Sequence, residues 1–167
     1  IHFSAGISIQ KPHTPLDKIA AAAEDALQNA KTGHPEKGER GNCINLFGET
    51  ATWEDFDALG KVRETLKTWH DTGVINNAML FRLNRFLGMV AQEKEILKEI
   101  SIPFVDMDCL KWRSYFRYTT ERNVGKNVKD EEAKKKMKEE FSMAAQWLED
   151  YGGRLRMALW DVIYNNR

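Results

Sequence analysis

The first 48 residues change hydrophobic period twice, and this change limits the folds that the chain can adopt. Apolar side chains alternate with small or polar ones over residues 3–9, the pattern of a strand with one buried face. Helical spacing follows over residues 16–30, and a short apolar run at residues 43–47 has the pattern of a second strand. The order strand, helix, strand rarely stands alone, because a stable sheet normally needs three or more strands. We therefore expect residues 1–48 to be the end of a domain whose other strands lie upstream of Ile1.

Single residues indicate where the first strand packs and where the helix of residues 1–48 begins and ends. Gly6 lies inside the first strand pattern and predicts a point where another backbone approaches closely. Thr14 is the predicted N-cap of the helix, with Pro15 as its first residue and Asp17 at the third helical position. The helix is expected to end at Lys31, and its many alanines predict a thin face that lies close on a sheet.

Helical patterns dominate from residue 49 onward, which predicts two domains, residues 1–48 and residues 49–167, and an α+β fold class. Thr52 and Asp130 are predicted N-caps, and Gly73 is expected to end the first of five helices. The second helix is expected over residues 77–100, the third from Asp106 or Asp108 to Arg122, and the fifth over residues 155–164. The buried stripe of the second helix is predicted to consist of Leu80, Leu83, Leu87, Val90 and Leu97.

Composition excludes several classes of function. Lys plus Arg and Asp plus Glu number 25 each, so no overall field attracts the chain to nucleic acid or to an anionic membrane. No apolar run approaches the ~20 residues that cross a bilayer, and we expect a cytoplasmic protein without a membrane partner. Cys43 and Cys109 belong to no metal-binding spacing and the four histidines are scattered, so no zinc site is predicted.

Several short motifs, taken in order, resemble known proteins. The end of GGDEF-type nucleotide cyclases is similar to residues 3–7 (FSAGI), residues 23–27 (AEDAL), Ala30-Lys31 and Gly41-Asn42 with Ile44. The continuation resembles the junction between palm and helical domains in the large palm-polymerase subunit of type III-A (Csm) CRISPR effector complexes. That second similarity lies in residues 44–48 (INLFG), Trp53, residues 112–118 (WRSYFRY) and residues 163–167 (IYNNR).

The resemblance implies a ferredoxin-like, GGDEF-like palm remnant at residues 1–48, followed by a C-terminal helical-bundle domain. Proteins of that family act in antiviral defence: they make cyclic oligoadenylates from ATP with a divalent metal, Mg or Mn, and often cut single-stranded DNA when target RNA binds. Their partners are the other subunits of the effector complex, including the small helical subunit, together with guide RNA and target RNA. The catalytic Gly-Gly-Asp-Asp and His-Asp motifs do not occur in this sequence. We therefore expect this fragment to be inactive alone, with no catalytic residue, metal or cofactor of its own.

Three residues are candidates for the wall of a nucleotide site in the full protein. The resemblance implies that Lys31 contacts phosphate, although a lysine in the last turn of a helix is also favourable to the helix dipole. Ser4 and Gly6 are candidates for contact with the ribose or base, and strand packing is the alternative for both. In the loop at residues 32–41, Lys37 and Arg40 either reach RNA or phosphate or are solvated charges balanced by Glu36 and Glu39.

The helical part contains two charged segments with two interpretations each. Residues 111–122 interleave aromatic residues with arginines, which suits base stacking with phosphate binding. Helical spacing instead indicates a half-buried bundle helix, which is the interpretation we expect. One stripe consists of Arg113, Arg117 and Glu121, and the other of Trp112, Tyr115, Phe116 and Thr119. Residues 134–136 (KKK) are expected to form salt bridges with Glu131 and Glu132 on a solvent face. Candidate docking residues are Met79, Phe81 and Met143.

Two other functions fit the same sequence. One is the tail of a diguanylate cyclase-like signalling protein, against which the long loop and the Trp53 junction count. The other is a stand-alone helical interaction domain, which would require residues 1–48 to fold without further strands.

Overall fold

The computed structural model describes residues 3–33, 41–98 and 107–166. It confirms the α+β class, and the chain divides into two compact units, Ile1–Val62 with Arg156–Ala158 and Arg63–Leu155 with Leu159–Arg167. The strands are β1 (Ala5–Ile7), β2 (Cys43–Leu46) and β3 (Glu49–Thr52). The helices are α1 (Leu16–Thr32), α2 (Trp53–Asp71), α3 (Asn77–Lys98), α4 (Trp112–Asn123), α5 (Glu131–Tyr151) and α6 (Arg156–Asn165). Short 3-10 segments, Met107–Lys111 and Gly152–Leu155, precede α4 and α6.

The three strands form one sheet in the order β1-β2-β3. β1 runs parallel to β2, with Gly6 opposite Asn45, so the predicted strand-helix-strand unit is confirmed. β3 runs antiparallel to β2, with Asn45 opposite Thr50. The sequence pattern did not predict β3, whose residues 49–52 were expected in the helical part. The predicted boundary at residue 48 therefore falls inside a β-hairpin.

A two-residue turn joins β2 to β3 and explains why this hairpin escaped prediction. Phe47 and Gly48 both have positive φ angles, 55° and 79°, as a type I′ turn requires. Asn or Asp is the usual residue at the first of these positions, and phenylalanine gives no such signal.

α1 lies directly on the sheet at Gly6. A β-carbon at this position would lie 2.2 Å from the backbone N of Leu27 and 2.5 Å from the carbonyl carbon of Ala26. Ala26 and Ala30 of α1 are buried. The predicted close approach at Gly6 and the predicted thin face of α1 are both confirmed.

Local hydrogen bonds test the predicted helix starts. The Thr14 hydroxyl donates to the carbonyl of Lys11 at 2.7 Å, and Pro15 occupies the N-cap of α1 without a side-chain cap. The prediction that Thr14 caps α1 is therefore wrong, because its hydroxyl is used in the preceding turn. The other two predicted caps are confirmed: Thr52 accepts from the Asp55 amide at 3.2 Å, and Asp130 accepts from the Glu132 amide at 3.1 Å.

Trp53, at the start of α2, is held within the first unit. Its ring stacks on Phe3 at a centroid distance of 4.7 Å, and its Nε1 donates to the Phe3 carbonyl at 3.0 Å. The chain segment before β1 is thereby tied to the first turn of α2.

A chain of aromatic rings forms the core of the second unit. Centroid distances are 5.2 Å between Trp69 and Phe141, 5.6 Å between Phe141 and Phe116, and 5.6 Å between Phe116 and Phe86. The helices α2, α5, α4 and α3 each contribute one of these four rings. All four side chains are buried.

The buried stripe of α3 follows the prediction except at its end. Leu80, Leu83, Leu87 and Val90 are buried, whereas Leu97 is 72% exposed, so the prediction for Leu97 is wrong. Leu97 lies in the last turn of α3, where Glu95 and Lys98 are exposed as well. The predicted end of this helix at Ile100 and the alternative start of the next helix at Asp106 fall outside the described residues.

Replacing Gly6 with alanine is expected to lower the free energy of unfolding by about 3 kcal/mol, because the added methyl group would overlap the backbone of α1. The midpoint of urea denaturation, followed by far-ultraviolet circular dichroism, measures this loss.

Gly60→Ala is the matched control within the same unit. Gly60 lies in α2 and nothing approaches within 4 Å of an added β-carbon, so this variant is expected to gain about 0.5–1 kcal/mol. Equal midpoints for the two variants would contradict the packing role of Gly6.

Candidate functional site

Ser4, Lys31 and Gly41 meet at one end of the sheet. Ser4 precedes β1, Lys31 lies in the last turn of α1, and Gly41 precedes β2. A β-carbon at Gly41 would lie 3.7 Å from Ser4 Oγ and 4.0 Å from the Lys31 carbonyl oxygen. The meeting follows from the topology, because α1 must return to the starting end of β1 before β2 can run parallel to it. Two of the three predicted site residues thus lie beside Gly41, Ser4 with its side chain and Lys31 with its backbone.

Gly6, the third predicted site residue, is turned toward α1. The space beside its α-carbon is occupied by the backbone of Ala26 and Leu27. Packing of the helix on the strand, one of the two interpretations of this glycine, therefore accounts for it.

The backbone at the start of β2 explains the Gly41-Asn42 motif. The φ angles of these residues are 71° and 53°, both in the left-handed region. Glycine adopts this conformation without steric cost, and asparagine tolerates it better than most residues. At Gly41 the conformation, and not a lack of space, is what requires glycine.

Lys31 presents its side chain to solvent beside this edge. The side chain is exposed, whereas Ser4 is half-buried. Within residues 3–33, 41–98 and 107–166, no carboxylate forms an ion pair with Lys31. Its position in the last turn of α1 also suits a cation, since the carbonyl end of a helix carries negative partial charge. Lys37, Arg40, Glu36 and Glu39 lie outside the described residues.

The arginine-rich segment forms the half-buried helix α4, as predicted. Its buried stripe consists of Trp112, Phe116 and Thr120. Tyr115, expected on that stripe, is exposed and Thr119 is half-buried, since the buried line of this helix follows residues 112, 116 and 120.

Arg113, at one end of the exposed stripe of α4, donates hydrogen bonds to two carboxylates. Its Nε donates to Glu149 Oε1 at 2.8 Å and its Nη1 donates to Glu93 Oε1 at 2.7 Å. The hydrogen bond to Glu93 is the main reason that the pKa of Arg113 is raised. The other oxygen of Glu93 accepts from Trp112 Nε1 at 2.8 Å, so the same carboxylate serves a buried indole.

A second ion pair joins α4 to α5 at the other end of that stripe. Lys138 Nζ lies 2.6 Å from Glu121 Oε2, and this hydrogen bond lowers the pKa of Glu121. Along α5, Lys134 pairs with Glu131 at 3.3 Å and Lys135 with Glu139 at 3.9 Å. The predicted salt-bridged face of α5 is confirmed for Lys134 only. Lys135 pairs with Glu139 instead of the predicted residues, and Lys136 forms no ion pair with a described residue.

A groove of about 720 Å³ lies between α4 and α5. Its lining residues are Arg113, Phe116, Arg117, Thr120, Glu121, Glu131, Lys134, Lys135, Lys138, Glu139, Ser142 and Ala145. Sequence reasoning assigned roles to the charges of each helix but missed the groove, because Ser142 and Ala145 carry no signal for it. Only their position against α4 reveals the gap that their small side chains leave.

The candidate docking residues divide between surface and core. Phe81 and Met143 are exposed, at 56% and 44%, as predicted. Met79 is only 1% exposed, so its assignment to the surface is wrong. It lies four residues before Leu83 and seven before Phe86, on the face of α3 that is buried.

The described parts of the chain contain neither a metal-binding cluster nor a helix that could span a membrane. No group of three or more His, Cys, Asp or Glu residues there is arranged to hold a metal ion. Cys43 and Cys109 are both buried and form no disulfide with each other. None of the described helices has the length and apolar character needed to cross a membrane.

No protein-family model matches this chain, and no curated protein or solved structure is significantly similar to it.

Lys138→Met is expected to raise the pKa of Glu121 toward its ordinary value near 4.5, because the hydrogen bond from Lys138 is the main cause of the depression. Since the folded-state pKa is lowered, the stabilisation from this pair is present above pH about 4.5 and is lost as the pH falls through the folded-state value. Carboxyl-carbon NMR titration measures the pKa directly.

Lys136→Met serves as the control on the same helix, because Lys136 does not line the groove. It should leave the pKa of Glu121 unchanged. An equal rise in both variants would show that general charge, and not the contact with Lys138, controls this carboxylate.

Proposed function

We propose that this chain is the C-terminal part of the large palm-polymerase subunit of a type III-A (Csm) CRISPR effector complex. In this proposal the sheet and α1 end a GGDEF-like palm domain, and α3, α4 and α5 belong to the C-terminal helical domain. The observation that carries the proposal is the meeting of Ser4, Lys31 and Gly41 at one edge, since these residues come from three separate motifs of the resemblance.

The chemistry of that edge suits a wall of an ATP site. A lysine ammonium can pair with a phosphate, and a serine hydroxyl can donate a hydrogen bond to a phosphate or to a ribose. The left-handed backbone at Gly41 favours glycine, which places no side chain at this edge. The catalytic acids and the Mg or Mn ion belong, in this proposal, to the upstream part of the palm domain. The fragment alone is then inactive.

The helical unit has the second role, docking to neighbouring subunits in a cytoplasmic complex. Exposed apolar side chains such as Phe81 and Met143, and the groove between α4 and α5, support a docking role because they offer contact area outside the core. The small helical subunit is the proposed partner, with guide RNA and target RNA reached through the complex.

The test is Lys31→Ala in the native polypeptide that contains this chain, assembled into its complex. Conversion of ATP to cyclic oligoadenylates after addition of target RNA should fall at least about tenfold, with a raised KM, as expected for loss of a charged phosphate contact. Lys18→Ala is the matched control, because Lys18 is an exposed lysine in the first turn of the same helix. It should leave the rate unchanged.

Other outcomes of the assay would favour one of the alternative functions or limit the role of Lys31. A cyclic dinucleotide made from GTP would favour the diguanylate cyclase-like alternative. Absence of any nucleotide product from the unmodified complex would refute the proposal and favour the helical interaction domain. Full activity of Lys31→Ala would assign Lys31 to the helix terminus alone.

A further inference from the structure

Two ion pairs connect α4 to α5 and leave a gap between them. Arg113 bonds Glu149 at one end, and Glu121 bonds Lys138 at the other. Because residue numbers rise along α4 while they fall along α5, the two helices are antiparallel. Arg117 lies between the two ion pairs on α4.

The gap exists because α5 has small side chains there. Ser142 and Ala145 lie between Lys138 and Glu149 along α5, and both line the groove. Phe116, which also lines it, is the buried ring that stacks on Phe141. The groove therefore has an apolar floor and room for inserted side chains.

Four of the five cations that line the groove form ion pairs, and Arg117 is the exception among the described residues. Five cationic side chains line it against three carboxylates, Glu121, Glu131 and Glu139. Each of these carboxylates already pairs with a lysine, namely Lys138, Lys134 and Lys135. Arg117 has neither an ion pair nor a hydrogen bond with any residue that the structure describes. Its electrostatic effect on a described residue is on Glu121, whose pKa Lys138 mainly lowers and Arg117 lowers further. A guanidinium without an ion pair or hydrogen bond to a described residue thus lies beside an apolar floor.

We propose that this groove binds an acidic amphipathic helix of a partner protein. An apolar side chain of that helix fills the space beside Ser142 and Ala145, and a carboxylate one turn away pairs with Arg117 through two parallel hydrogen bonds. A nucleic acid fits less well, because it binds through many contacts between cations and phosphates, and four of the five lining cations already pair with carboxylates. The inference rests on the docking role proposed above and adds the place and the chemistry of the contact.

The probes are two synthetic helical peptides of about 15 residues, long enough to form a helix on binding. Both have the same leucine stripe; one has glutamate at its polar positions and the other has lysine. In amide NMR spectra of the labelled chain, the acidic peptide should shift the signals of Arg117, Ser142 and Ala145. The basic peptide should leave these signals in place.

Charge reversal makes the test specific. Arg117→Glu should weaken binding of the acidic peptide at least about tenfold, the loss expected for a charge-assisted pair, and should create binding of the basic peptide. Arg122→Glu is the matched control, because Arg122 lies on α4 but does not line the groove. It should change the affinity less than about twofold.

Ala145→Trp fills the groove without changing any charge and should abolish binding of the acidic peptide. The amide spectrum of each variant reports whether it is folded, so a loss of binding is read only from folded protein. If Arg117→Glu does not fold, Ala145→Trp and the shift pattern of the unmodified chain decide the question.

Three results would overturn the inference: no shifts with the acidic peptide, shifts located elsewhere, or equal binding of both peptides. Displacement of the acidic peptide by a single-stranded oligouridylate, lost in Ala145→Trp, would assign the groove to nucleic acid instead. These outcomes are separate from the nucleotide assay, because the peptide experiment requires neither ATP nor the upstream palm domain.

Discussion

The stacking of Phe116 on Phe141 sets the distance between α4 and α5, on which the groove depends. The ring centroids lie 5.6 Å apart with planes inclined by 9°, and both rings are buried. Large rings on the inner side keep the helices apart, whereas Ser142 and Ala145 on the outer side are too short to close the gap. Long charged side chains can bridge it, which explains why Arg113 reaches Glu149 and Lys138 reaches Glu121. The groove is thus the space outside the aromatic core that the short side chains of α5 leave unfilled.

In the first unit, Gly6 sets the distance between α1 and the sheet. Because it lacks a β-carbon, the backbone of α1 lies against β1, and the path of the helix back to the start of β2 follows from that contact. The last turn of α1 then lies beside Ser4 and Gly41. A residue considered for ligand contact is therefore important for a different reason: it positions the helix that contains Lys31.

Features that depend on residues near each other in sequence were predictable. The caps at Thr52 and Asp130, the end of α2 before Gly73 and most of the buried stripe of α3 follow from local hydrogen bonds and periodicity. Thr14 failed because its hydroxyl has a second local acceptor, the Lys11 carbonyl. β3 was missed because Phe47 occupies a turn position usually held by asparagine or aspartate.

The α+β class, the order of most elements and the identity of Lys31 and Ser4 as candidates could be read from the amino-acid sequence. Periodicity, capping and turn chemistry are local properties, and each is expressed within a few residues. The tertiary structure alone decides that Ser4 meets Gly41. It also decides that a groove lies between α4 and α5, in which Arg117 has no ion pair or hydrogen bond to a described residue. Both features bring together residues 25 or more positions apart, and the distances between such residues are set by packing: by the missing β-carbon of Gly6 in one unit and by the buried aromatic rings in the other.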